Sequence, residues 1–328
     1  MSSFENKLFS QSFRESVLYK SSSLFPSNKK NAKISNSLDS NKNKICALKE
    51  GEEIGEGIII GKYLFDGEES KFYLGIINSI NSEVLIKSFC FAKKSNSIIL
   101  KIKEDFEKVK EIMGDNIISY FDYQIDSNRK TCQIFMEYIP NTITLEKYFK
   151  KYNSNKNNNT GLPLKQIKSI IKGILSGLKL LHEENIYPGN INPKNILVNE
   201  DLSKIKIINY ALKTKNDEIL TYPYYSASKK VFMKFLPEYE YENDIWSVGC
   251  ITFELFCGYR PYNPFSAHDA ACSLAQCINP IEASNEDIKD IFYDKKNRTV
   301  LDFLNQCFRN NDGARPIADE LLKHKFLN

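Results

Sequence analysis

Short apolar runs set off by turn residues open the patterned part of the chain. Ile58–Leu64, residues 71–78 and residues 83–89 are rich in Ile, Val, Phe and Tyr, and the first two flank the polar stretch Phe65-Asp66-Gly67-Glu68-Glu69-Ser70. They predict three strands. CQIFMEYI at 132–139 predicts another strand. Ile196-Leu197-Val198, the turn Asn199-Glu200-Asp201, and Ile205, Ile207 and Ile208 predict a small hairpin. Elsewhere the apolar spacing is helical. It predicts helices over 98–113 and 144–151. A third, over 164–184, carries Ile167, Ile170, Ile171, Ile174, Leu178 and Leu181 on one side. A fourth covers 243–257, with Asn243 as N-cap and Gly258 as the residue that ends it. Residues 1–48 are Ser-, Asn- and Lys-rich and hold no Gly, a composition that predicts a disordered tail. Phe4, Leu8, Phe9, Phe13, Val17 and Leu18 recur there at helical spacing; the alternative is a short amphipathic helix that docks on a partner or on the rest of the chain. An Asn-rich run within 152–160 predicts a surface loop.

Composition narrows the function classes. At 328 residues the chain is long for one compact domain and right for a two-lobed one, and 42% hydrophobic content supplies a sizeable core. A net charge of +4, spread along the chain, does not point to nucleic acid. No run of about 18 apolar residues appears, so no membrane span is expected. Eight Cys without CxxC pairs or a signal peptide predict reduced thiols and a cytoplasmic setting. Cys250 and Cys257 fall in an apolar helical pattern and are expected in a core. Cys272 and Cys277 lack the partners of a zinc site.

The chemistry concentrates in one stretch. Pro188-Gly189-Asn190-Ile191-Asn192-Pro193-Lys194-Asn195-Ile196-Leu197 is followed by Asn209-Tyr210-Ala211. It resembles the catalytic loop and metal-binding segment of eukaryotic protein kinases, which write H-R-D-x-K-P-x-N-I-L and then D-F-G. In that family the loop aspartate accepts the substrate hydroxyl's proton and the second aspartate holds magnesium. Here both are amides, Asn190 and Asn209, and the loop lysine is Asn192. An amide takes no proton near neutral pH and brings no negative charge to a hard dication.

The resemblance extends from about residue 50 to the end. Val84-Leu85-Ile86-Lys87 is similar to V-A-I-K and places Lys87 as the phosphate-clamping lysine, with Asp105 at the helix position that pairs with it and Glu104 as the alternative. Phe65-x-Gly67-x-x-Ser70 corresponds to the glycine loop, keeping one glycine, Gly67, of three; Gly55-x-Gly57-x-x-x-Gly61 is a decoy with the wrong spacing. Phe72 and Leu85 replace the small valine and alanine that sandwich the adenine, which implies a partly self-filled pocket. Met136, Glu137, Tyr138 and Ile139 match the gatekeeper and linker. Asp244-Ile245-Trp246-Ser247-x-Gly249 matches D-x-W-S-x-G, and His182 reads as structural. Ala227-Ser228-Lys229 stands where A-P-E is expected, so Lys229 would face Arg315 with like charge.

The resemblance implies an α+β, two-lobed fold: a small antiparallel-sheet lobe over 49–139 and a mainly helical lobe over 140–328. The final helix is most similar to the MAP-kinase-kinase-kinase groups. It further implies a pseudokinase that scaffolds or allosterically regulates a signalling protein, an active kinase among the candidates. The alternatives are an ATP-binding switch and a residual serine/threonine kinase. No intact catalytic residue and no metal ligand are expected. Lys87, Gly67, Asp105, Glu137, Ile139 and Asn195 would contact a nucleotide if one binds, with ATP held without ordered magnesium.

Overall fold

The computed structural model describes residues 48–54, 57–66, 70–78, 81–90, 95–126, 128–154, 161–211, 223–225, 240–263, 265–276, 278–310 and 315–328. The tail through residue 47, residues 155–160 of the Asn-rich run, Gly67 and Lys229 lie outside these residues, whereas Tyr152–Ser154, expected in that loop, continue a helix. The chain divides into two compact units. One holds the chain through Ile112 together with Ser119–Ile139, and the other holds Met113–Ile118 and Pro140–Asn328.

Alternating side chains build the first unit. Its antiparallel sheet runs β1 (Glu53–Ile54), β2 (Ile58–Asp66), β3 (Ser70–Ile77), β4 (Ser82–Cys90), β6 (Thr131–Glu137) and β5 (Tyr120–Asp126), in that spatial order. The three strands expected between 51 and 90 are therefore four, since the two-residue β1 is too short to leave a periodic signal. Tyr73, Val84, Ile86 and Phe135 pack in one cluster with Ile58, Ile60 and Phe121 on one face of the sheet. Leu48, expected in the tail, joins the same cluster, and its N–H donates to the Tyr73 hydroxyl at 3.1 Å. Phe72, Leu85, Lys87 and Met136 alternate onto the other face. Among the described residues this unit holds one helix, α1 (Ser95–Val109), and Phe106 on it meets the Tyr123 ring of β5 edge-on at 5.0 Å.

Beside Tyr123, Asp122 is mostly buried. Burial pushes its carboxyl up to about 6, against a smaller lowering by the Tyr123 N–H that bonds it. A carboxyl raised in the folded state binds a proton that the unfolded chain has released, so its contribution to stability falls as pH rises from about 4 to about 6. Asp122→Asn is expected to raise stability at pH 7.5 by up to about 2 kcal/mol and to flatten the slope between pH 4 and 6. Urea unfolding of both proteins at pH 5 and 7.5 checks this; an equal gain at both pH values would exclude the carboxyl's charge as the cause.

The second unit is mainly helical: α2 (Leu145–Ser154), α3 (Leu164–Glu183), α4 (Glu240–Cys257), α5 (Ala267–Ala275), α6 (Glu286–Tyr293), α7 (Arg298–Cys307) and the short α8 (Ala318–Leu322). A small sheet, β7 (Thr142–Thr144), β8 (Ile196–Asn199) and β9 (Ile205–Ile207), lies among them. The apolar side of α3 is fully buried, as its spacing predicts. Gly177 lets the backbone of Asn116 and the Ile207 side chain come close, since a Cβ there would meet Asn116 O at 2.7 Å. That approach seats Met113–Ile118 against β9. Ile118 N donates to Ile207 O and Ile207 N to Asn116 O, each at 2.9 Å, and the buried Lys206 ammonium donates to Ile117 O at 3.0 Å.

Two local expectations need correcting. The fourth helix starts at Glu240, not Asn243, so Asn243 lies inside the helix and its carbonyl accepts the Ser247 hydroxyl at 2.8 Å. Gly258, with φ +87°, does end it. Cys132, Cys250, Cys257 and Cys307 are free and buried, but Cys90 is disulfide-bonded, against the expectation of reduced thiols. Among the described residues no helix is long and apolar enough to cross a membrane.

Candidate functional site

The loop after α3 is positioned from beneath by α4. Asp244, fully buried, holds two donors. Gly189 N–H reaches its Oδ1 at 2.7 Å, and His182 Nε2 lies 3.0 Å from its Oδ2. His182 thus serves the loop's frame. Gly189 sits at φ +62°, a conformation that an arginine there would adopt only with strain.

The loop then closes on a ring of amides. Asn190 O accepts the side-chain amides of Asn192 and Asn195, both at 2.9 Å. Asn192 Oδ1 accepts Lys194 N–H at 2.9 Å and so caps the 3₁₀ turn Pro193–Asn195. Asn209 Nδ2 donates to Asn195 Oδ1 at 3.0 Å, and Asn190 Nδ2 lies 3.3 Å from Asn209 O. A backbone carbonyl can only accept, so Asn190 O fixes the amino end of Asn195. The oxygen of Asn195 then faces Asn209, which must present its own amino group. Asn209 stands at φ +57°, where Asn is among the few residues tolerated. Behind it, Tyr210 is buried and donates its hydroxyl proton to Ile118 O at 2.7 Å.

The side-chain oxygens of Asn190 and Asn209 are buried and accept no hydrogen bond. They are neutral. The third oxygen of the set, on Asn195, already accepts the Asn209 amino group. Among the described residues no group of three or more His, Cys, Asp or Glu gathers where a metal ion could sit. Magnesium asks for near-octahedral oxygen ligation, with carboxylates to offset its charge. This donor set does not fit it.

In the first unit the register places Phe72 opposite Lys87, Leu74 opposite Leu85, and Met136 on the far side of Leu85. Phe72 is fully buried and stacks on Phe65, with centroids 4.5 Å apart and planes 19° apart. Leu85 and Met136 are buried beside it. The Lys87 side chain is buried too, its ammonium 5.8 Å from the Phe89 ring centre. Asp105 is half-buried on α1 and Glu104 exposed. Glu137 closes β6; its N–H donates to Ser119 O at 2.9 Å, and its carboxylate accepts Ser119 N–H at 3.3 Å. Ile139 is half-buried at the end of the unit.

Two pairings escaped the sequence. Arg315, expected to face Lys229, is buried against Glu242. Its Nη1 donates to Glu242 O at 3.0 Å and lies 3.9 Å from the carboxylate, while its guanidinium sits 5.0 Å from the Trp246 ring centre. The carboxylate stands two residues before Asp244, on the helical turn that the expected N-cap at Asn243 had excluded. Tyr225, in the short turn Pro223–Tyr225, donates its hydroxyl proton to Glu254, and Ser247 donates to Tyr225 O at 2.7 Å. No local pattern announces that contact across 29 residues.

Residues 59–327 match the protein kinase domain. A probable serine/threonine-protein kinase of Dictyostelium discoideum is 26% identical over 98% of this chain and 47% of its own length. Mitogen-activated protein kinase kinase kinase A of the same organism is 25% identical over 81% of this chain and 27% of its own. Mitogen-activated protein kinase kinase kinase 1b of Physcomitrium patens is 25% identical over 81% and 33%. The chain thus spans less than half the length of these curated relatives. With sheet, helices and loop frame in the order the family requires, and the match covering most of its length, this chain belongs to the protein kinase domain family.

Proposed function

We propose that this domain is a pseudokinase, a signalling domain that works by binding and regulating another signalling protein rather than by transferring phosphate. The observation that carries this reading is the amide ring. The positions where the family keeps its general base and its metal-binding aspartate hold Asn190 and Asn209, both tied into that ring, and Asn192 takes the place of the loop lysine. General-base help alone is worth about 10²- to 10⁴-fold in rate. The buried Phe72 and Leu85 support weak nucleotide binding. The serine/threonine and MAP-kinase-kinase-kinase relatives favour an active kinase as the partner. Retention of Lys87 and Asn195 favours the second reading, a domain that binds ATP as a switch without ordered magnesium.

Thermal unfolding with millimolar ATP, with and without magnesium, tests the proposal, because a ligand of the folded state raises stability by RT ln(1 + [L]/Kd). The expected outcome is a midpoint unmoved by either mixture and no labelled product from γ-labelled ATP. A magnesium-independent rise, abolished by Lys87→Ala, would favour the switch. A magnesium-dependent rise with a phosphorylated product would overturn the non-catalytic reading.

A further inference from the structure

We infer that the amino group of Asn209 does the structural work of a cation in this domain, so that the loop from Pro188 to Asn195 and the segment at Asn209–Ala211 are held together without any metal. The argument starts from charge. Asn195 Oδ1 is an acceptor at the point where the two segments meet, and something positive must face it. Here that is a polarised N–H of Asn209, at 3.0 Å. The direction of this bond is forced by the partners further along. Asn195 Nδ2 is committed to Asn190 O, which also accepts Asn192, so Asn195 can offer Asn209 only oxygen. Asn209 is itself held in the left-handed region at φ +57°, and its carbonyl lies 3.3 Å from the Asn190 amino group. The contacts knit residues 190, 192, 195 and 209 into one unit in which neutral donors replace an ion.

The chemistry has a sharp corollary. Replacing Asn209 with aspartate removes the donor and sets a carboxylate oxygen against Asn195 Oδ1. A carboxylate oxygen then faces the Asn195 oxygen with no donor between them, a repulsion that a divalent cation would relieve. The geometry stands on the four amides alone. Its regulatory consequence, that the loop's conformation answers to neither magnesium nor chelator, rests on the non-catalytic reading.

The experiment measures unfolding midpoints of the whole chain in chelator and in 10 mM MgCl₂, without nucleotide, for wild type, Asn209→Asp and Asn209→Gly. Glycine suits the positive φ, so it deletes the donor without backbone strain or added charge. Wild type is expected to show the same midpoint in both buffers. Asn209→Gly is expected about 3–6 °C lower and equally indifferent to magnesium. Asn209→Asp is expected to fall by a similar or larger amount in chelator and to regain at least half of the loss in magnesium. A wild-type midpoint raised by magnesium, an Asn209→Gly as stable as wild type, or an Asn209→Asp that folds but ignores the ion would each overturn the inference. If Asn209→Asp does not fold in either buffer, the glycine variant still decides whether the bond holds the segments. Phosphate transfer is assayed separately, so its appearance would sink the non-catalytic reading while leaving these midpoints to judge the amides.

Discussion

Glu242→Gln is expected to lower the unfolding midpoint by about 6–12 °C. Arg315 is almost wholly out of water, and desolvation pulls its pKa below the ordinary arginine value, partly opposed by the Glu242 charge. Glutamine keeps the shape and the backbone carbonyl that Arg315 Nη1 binds, but removes the carboxylate that lies 3.9 Å from the guanidinium. Breaking a buried pair on one side typically costs about 3–5 kcal/mol. The carboxylate lies at 3.9 Å, beyond a tight hydrogen bond, so the lower end applies, about 3 kcal/mol, or some 2–4 °C per kcal/mol in a chain of this size. Pairing Glu242→Leu with Arg315→Met is expected to recover most of that loss, because it removes both charges together. Scanning calorimetry of the two variants decides. A Glu242→Gln midpoint within 2 °C of wild type would mean that Arg315 is satisfied by the carbonyl and the Trp246 ring alone.

The second large effect is a gain. Phe72→Val with Leu85→Ala is expected to respond to ATP more strongly than wild type. In wild type Phe72 stacks on Phe65, and Leu85 lies buried between Leu74 and Met136 in the register, so one face of the sheet is filled by its own side chains. Truncating both lowers the basal midpoint, since each large-to-small change in a packed face costs about 2 kcal/mol or more. If the bulk is what excludes the adenine, ATP at 100 times its Kd then raises the midpoint by about 5–10 °C, and Lys87→Ala in the same background removes the gain. A folded double variant that ignores ATP would place the block elsewhere. The single variants, each less disruptive, serve if the double one does not fold.

Much of this architecture is legible in the chain because it is written locally. The strands around Ile60, Tyr73 and Ile86 follow from alternation, α3 follows from its apolar stripe, and Asn199 to Asp201 announce the β8–β9 turn. What the sequence hides is long-range or side-chain-specific. The start of α4 is one case. Asn243 is a good cap by type, yet the helix runs through it to Glu240, and that extra turn carries the carboxylate that faces Arg315, 73 residues away in sequence. The amide ring is another. Four asparagines can be listed from the motif, but which nitrogen faces which oxygen depends on contacts spanning 14 and 19 residues. The site is therefore readable as a set of missing charges and unreadable as the bonded structure that replaces them.

Met113–Ile118 also imposes a delay. These six residues lie in the sequence between the helix and the outer strands of the first unit, yet they complete the second, where Asn116 bonds Ile205 and Ile117 receives Lys206 across 89 residues. During synthesis at about 5–20 residues per second, their partners emerge roughly 5–20 seconds after they do. The sheet of the first unit, in which β4 pairs with β6 across an intervening helix, has its last strand by Glu137. For most of that interval every strand of the first unit has been made, while the short piece that interrupts them still lacks its partners.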